Sequence, residues 1–336
     1  MRLQALDIAR FLAFCGMVLV NFRLAANVTP GDDWFSVLTN VLEGRSAALF
    51  VVLAGVGIAL AKPQTDLFLR RAAFLFVLGL ANSIVFDADI LHFYALYFIA
   101  AIPFVTTENR WLWLGISSFM VISLIAQVTL DYDVGWNWIT NQYSDFWTLK
   151  GFLRHSFYNG WHPVFPWVSF LLFGMWIGRQ DLSASVIHNR MIVWGSIFAA
   201  VAVIPGWFVQ DPELLYLADT NSVPPGPFYL IASSGSAVAV IGLVFKIEPT
   251  LSHLGLTQWL TAPGRLALTL YVAHIYLGIG ILDELGRLDG SLSQLQIFVI
   301  SLIFCAACSL YARLWRIHFK RGPLETLMRW VTEKGH

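Results

Sequence analysis

Residues 45–61 read RSAALFVVLAGVGIALA, one arginine followed by sixteen positions without a charge. A helix rises about 1.5 Å per residue, so this stretch covers about 25 Å, close to the roughly 30 Å hydrocarbon core of a bilayer. A soluble helix keeps a polar face, whereas here only Ser46 interrupts the apolar surface after Arg45. The stretch therefore reads as a membrane span. Working outward, nine further segments have similar character: 11–27, 72–86, 90–106, 111–130, 161–178, 191–209, 227–245, 266–282 and 292–312. The acidic turn Asp87-Ala88-Asp89 divides 72–106 into two. The expected fold is all-α, a polytopic integral membrane helical bundle of about ten transmembrane helices. It forms one integral membrane domain over 1–336, with a basic tail at 313–336.

Composition agrees: of 336 residues, 57% are hydrophobic and 12% charged, against about 25% charged in soluble domains. Lys+Arg and Asp+Glu are equal at 21 each, so no global basic field attracts nucleic acid. Cys15, Cys305 and Cys308 all fall in apolar runs and indicate neither a disulfide framework nor a metal site. Cys305 and Cys308 share a helical face and read as small packing residues. So do Gly55 with Gly57, and Gly174 with Gly178, the latter at GxxxG spacing. The first apolar run lacks an A-x-A-like exit and reads as a retained span.

Lys and Arg assign an orientation. With the N-terminus inside, sixteen fall on the inner side: Arg2 and Arg10, Lys62, Arg70 and Arg71, Arg110, Arg179 and Arg190, Lys246 and Arg265, and six after residue 312. Arg45, Lys150, Arg154 and Arg287 fall outside, and Arg23 lies within the first span. Both termini are expected in the cytoplasm, in the plasma (inner) membrane. The basic tail, with Trp315 and Trp330 interleaved, fits contact with anionic lipids of the inner leaflet. The external connection from Asp131 to Gly160 holds Trp136, Trp138, Tyr143, Phe146, Trp147, Phe152 and Phe157, which suits either interfacial anchoring or a lid.

Ionisable groups in spans are costly and are functional candidates by default. His274 lies near mid-span, one turn after Tyr271. His92 opens the fourth span, with Asp89 three residues before it, either as an orienting carboxylate or as a helix cap. His162 opens the sixth span, where Pro163 and Pro166 fit a first helical turn. It reads as a base near the outer mouth or as an interfacial anchor. His155, His188, His253, His318 and His336 fall in loops or tails and read as solvated.

Several motifs carry a family resemblance. Leu6-Asp7-x-x-Arg10-x-x-Ala13 with Val18-Leu19-Val20-Asn21 resembles the first span of bacterial YeiB-type membrane proteins and of heparan-alpha-glucosaminide N-acetyltransferase. Similar to motifs of that group are Arg45-x-x-x-Leu49-Phe50-x-x-Leu53-x-Gly55-x-Gly57 and Asp89-Ile90-Leu91-His92-Phe93-Tyr94-Ala95-Leu96-Tyr97. His162-Pro163-x-Phe165-Pro166-Trp167 through Gly178-Arg179, and Gly264-Arg265-x-Ala267-Leu268-Thr269-Leu270-Tyr271-x-x-His274, continue the series. The resemblance implies a transmembrane acyltransferase, with acetyl-CoA or another acyl-CoA entering from the cytoplasm and an acceptor on the opposite side. One departure stands out. The heparan enzyme carries its catalytic histidine after the first span, near the asparagine that Asn21 resembles, but here no histidine precedes His92.

The expected activity is therefore acyl transfer with a histidine base. His162 ranks first for access, His274 second and His92 third, with Asp89 orienting His92 and Asn21 as supporting donor. Arg10, Arg70, Arg71 and Arg265 are candidates for the phosphates of coenzyme A; the same residues also satisfy the positive-inside rule. No cofactor is expected to be permanently bound. A small-solute or lipid permease, or an inactive binding relative, is the competing expectation. Neither the acceptor nor the oligomeric state is legible.

Overall fold

The computed structural model describes residues 3–62 and 64–333. Arg2, Lys334 and His336, which entered the charge and histidine readings, lie outside them. Helices dominate: α1 Gln4–Ala25, α2 Trp34–Leu42, α3 Arg45–Ala61, α4 Thr65–Asn82, α5 Leu91–Ala101 and α6 Asn109–Thr129. After them come α7 Leu149–Arg154, α8 Val164–Gly178, α9 Ser185–Val201, α10 Pro212–Ala218 and α11 Pro227–His253. The C-terminal part adds α12 Thr257–Gly264, α13 Ala267–Ala273, α14 Gly280–Glu284, α15 Gln294–His318 and α16 Pro323–Glu333. Every predicted span overlaps one of these helices or a continuous run of them. Among the described residues, seven stretches are long and apolar enough to cross a bilayer, and Leu91–Phe104 and Val164–Gly178 are shorter apolar helices. The chain is an all-α, polytopic integral membrane protein.

Helix α4 starts at Thr65, earlier than the apolar pattern of 72–86 predicts. A helix can continue past the hydrocarbon edge when its polar end is satisfied, and Asp66 pairs with Arg70 at 2.7 Å, one turn apart.

The chain forms two compact units, residues 1–50, 183–195 and 236–336 in the first and 51–182 and 196–235 in the second. In the first, α1 packs on α2, α12, α13 and α15, and α16 lies on α13. Close approach explains one glycine: a Cβ on Gly264 would overlap the Asp7 carbonyl, so α12 meets α1 backbone to backbone. Arg23, buried in α1, is satisfied by α2 and the turn after it, donating to Asn40 Oδ1 at 2.6 Å and to Glu43 Oε2 at 2.5 Å.

In the second unit α4 packs on α5, and α8 receives α5 and α6. The inner stretch of α3 also meets α8, where a Cβ on Gly55 would strike the Leu171 carbonyl and one on Gly174 the Val52 carbonyl. The GxxxG reading of Gly174 and Gly178 thus describes a helix crossing held by dispersion. The connection over 131–160 is a folded cap. A two-residue hairpin pairs Trp136 with Tyr143, followed by α7 and a π turn at His155–Asn159. Asn159 fastens it: its amide donates to the carbonyls of Tyr132 at 2.8 Å and Val134 at 2.9 Å, and its Oδ1 accepts from Tyr143 at 2.6 Å.

Candidate functional site

Polar groups gather at two places in the first unit and at one in the second. In the first unit, α13 ends in a π turn at His274–Ile279, a wider coil that recurs at functional positions. His274 is fully buried there. Its Nδ1 contacts the Tyr271 carbonyl. That oxygen can only accept, so Nδ1 carries the proton and Nε2 keeps its lone pair. Asn21 Nδ2, from α1, donates to that Nε2 at 2.9 Å. The rings of Tyr271 and Phe14 close the sides at 4.8 and 6.1 Å. Two residues 253 positions apart in sequence thereby form one polar pair inside an apolar bundle.

Toward the start of α1, the buried Asp7 carboxylate receives Arg10 at 2.6 Å and Arg265 at 3.0 Å. Both guanidinium groups are partly exposed, 25% for Arg10 and 20% for Arg265, and one carboxylate fixes them with a net positive charge. Of the proposed phosphate ligands, these two come together. Arg70, paired with Asp66, and Arg71 lie on α4 in the second unit.

The second unit places His92 and His162 near each other and adds a third ring. His92, fully buried, stacks on His155 with centroids 5.9 Å apart, and Phe93 lies 5.3 Å from His155 and 5.8 Å from His162. His162 is half-buried against Trp167, and its backbone carbonyl accepts from Tyr97 at 2.5 Å. Asp89 Oδ2 accepts from the Leu91 N–H at 2.8 Å and stands 3.9 Å from His92 Nδ1, while Oδ1 accepts from Asn82 at 2.9 Å. The Ser83 hydroxyl is closer to that nitrogen, at 3.4 Å. His92 Nε2, His155 Nδ1 and His162 Nδ1 are buried without a hydrogen-bond partner.

His155 corrects the sequence reading, which left it solvated: it is 1% exposed. The signal was the aromatic density around it, since Tyr143 and Phe146 enclose its ring at 4.6 and 4.9 Å. Arg154 next to it donates to Tyr143 Oη and to Asp145 Oδ1, both at 2.6 Å. Burial first, then the positive fields of His92, His162 and Arg154, lower the His155 pKa well below the ordinary imidazole value.

Comparison with known proteins follows this division only in part. Residues 2–204 match the family described as heparan-alpha-glucosaminide N-acetyltransferase, catalytic. Residues 176–335 match a family described as a protein of unknown function, DUF418. Over its whole length the chain is similar to the uncharacterized protein YeiB of Escherichia coli (strain K12), 22% identical with 97% of this chain and 95% of that protein covered.

Proposed function

The chain belongs to the YeiB-type, heparan-alpha-glucosaminide N-acetyltransferase-like family, and from that premise we propose that it is a membrane acyltransferase. It moves an acetyl or other acyl group from cytoplasmic acyl-CoA to a hydroxyl or amine of an external acceptor. Both termini are cytoplasmic, in the plasma (inner) membrane. The observation that carries the reading is the hydrogen bond from Asn21 to His274. It joins the asparagine of the family's first-span motif to a histidine from the far end of the sequence, in a branch where no histidine precedes His92.

His274 therefore takes precedence over His162 as the base. With Nδ1 held by the Tyr271 carbonyl, Nε2 is the basic nitrogen. An acceptor O–H or N–H displaces the Asn21 amide from Nε2 and gives its proton there as its oxygen or nitrogen attacks the thioester carbon. The freed Asn21 N–H then donates to the carbonyl oxygen as negative charge builds on it. The C–S bond breaks, and the proton on His274 passes to the leaving thiolate, which departs as free coenzyme A thiol. Arg10 and Arg265, preset by Asp7, hold the phosphates of the donor through their remaining N–H groups.

The test is release of free coenzyme A from acetyl-CoA by purified protein in membrane vesicles, followed by mass spectrometry. His274→Ala, with folding checked by gel filtration, is expected to lower the rate about 10² to 10⁴-fold. Wild-type turnover in that variant overturns the assignment of the base. Absence of both turnover and any acetyl-CoA-dependent thermal shift in the native protein overturns the acyltransferase reading.

A further inference from the structure

A cavity of about 450 Å³ opens in the first unit, walled by α1, α2, the start of α3, the 236–240 stretch of α11 and α15. Its volume is that of small-molecule sites, about 300 to 1,000 Å³. Leu, Val, Ala and Phe side chains line most of it, and its polar groups are unevenly placed. Gly16 abuts Ser46, and the free thiols of Cys15 and Cys305 are hydrogen-bonded, which fixes the level of α3 and α15 against the middle of α1. Arg45 precedes Ser46, and Ser301 lies one turn, about 6 Å, before Cys305. Both therefore belong to the half of the cavity beyond Gly16, while Leu12, Ala13 and Leu49 line the other half.

Two features point to an occupant. The Ser301 hydroxyl is buried with no hydrogen-bond partner although it lines the cavity, and a buried hydroxyl left unpaired costs roughly 1 to 3 kcal/mol. The rim residues Leu12, Val41 and Leu302 are exposed, 42%, 54% and 54%, as expected of side chains that meet lipid tails. An apolar half, one unsatisfied hydroxyl and one guanidinium match, in order, an acyl chain, an ester carbonyl and a phosphate.

We propose that this cavity binds one acyl chain of an anionic phospholipid, with its ester carbonyl accepting from Ser301 and its phosphate on Arg45. The site is independent of acyl transfer, since none of its residues holds the base or the donor. The bilayer supplies the ligand, and the cation at the polar half selects its charge.

Cys15 lines the cavity and reports on occupancy. In detergent-purified protein carrying Cys308→Ala, the rate of Cys15 modification by N-ethylmaleimide is measured with detergent alone and with added dioleoylphosphatidylglycerol, dioleoylphosphatidylcholine or oleate. Native mass spectrometry counts bound lipid alongside. The expected result is one retained phosphatidylglycerol per chain, slower Cys15 modification, and weaker protection by the zwitterionic lipid and by the free fatty acid. Arg45→Gln is expected to weaken phosphatidylglycerol binding about tenfold or more, and Ser301→Ala to weaken all three amphiphiles. Equal protection by every amphiphile, detergent included, means an adventitious additive only and overturns the proposal. So does unchanged Cys15 reactivity in the Cys308→Ala protein, a readout that does not require the Arg45 variant to fold.

Discussion

On the proposed mechanism, removing the Asn21 amide, which donates to His274 Nε2, takes away the donor for the developing oxyanion. Asn21→Ala is expected to cut acyl transfer about 10² to 10³-fold with the fold kept, measured as coenzyme A release and as a gel-filtration profile. Asp7 has a different role, because both Arg10 and Arg265 depend on its charge. Asp7→Asn removes the carboxylate charge that the two guanidinium groups share. The expected cost is about 2 to 5 kcal/mol, seen as a large fall in thermal midpoint in detergent, together with weaker acetyl-CoA binding. An unchanged midpoint would show that neither arginine relies on it. At this scale the sequence named Asn21, Arg10 and Arg265 as candidates without naming their partners. Arg265 and His274 come from more than 250 residues away, and one chain carries no record of which helices touch.

Elements carry the next pair of outcomes. Helix α16 docks on the start of α13 through Glu325, whose carboxylate accepts from the Leu268 N–H at 2.8 Å, the Thr269 N–H at 3.2 Å and the Thr269 hydroxyl at 2.5 Å. An anion at a helix N-terminus satisfies orphan donors and complements the dipole, so the basic tail is also a structural brace for the helix that leads to His274. Glu325→Gln is expected to destabilise the protein by about 1 to 3 kcal/mol in a thermal melt. The cap of residues 131–159 responds to pH instead. His155 has a folded pKa well below 6.5 because burial and neighbouring charge disfavour its cation. Below about pH 6.5 the unfolded chain takes up a proton that the folded cap refuses, so stability falls as pH falls through that range. Amide hydrogen exchange across the cap, corrected for intrinsic rates, should quicken between pH 7.5 and 5.5, and His155→Phe should flatten that dependence. The sequence placed the aromatic segment but not its hairpin and π turn, which exist because Asn159 and Tyr143 satisfy backbone and side-chain groups at a distance.

For the whole molecule, orientation is the first question. With native cysteines replaced, a cysteine at the exposed Ser144 should react with a membrane-impermeant maleimide from outside intact cells; reaction only after the inner side is opened reverses the topology. The sequence by itself determined the solvent of this protein. Apolar runs of span length leave a helix as the way to satisfy backbone groups in hydrocarbon, so the fold class and the approximate places of the apolar helices followed from composition and run length. It also marked His92, His162 and His274 as groups that lipid cannot leave unexplained, while Asn21 stood out only through the family resemblance. Only the tertiary structure decided their company: Asn21 with His274, Asp7 with two arginines, and His92 with a buried His155. In a bundle whose helices are apolar on all sides, periodicity does not say which faces meet. That choice is made by close backbone approach at positions such as Gly174 and Gly264, and by the few polar side chains that must find one another.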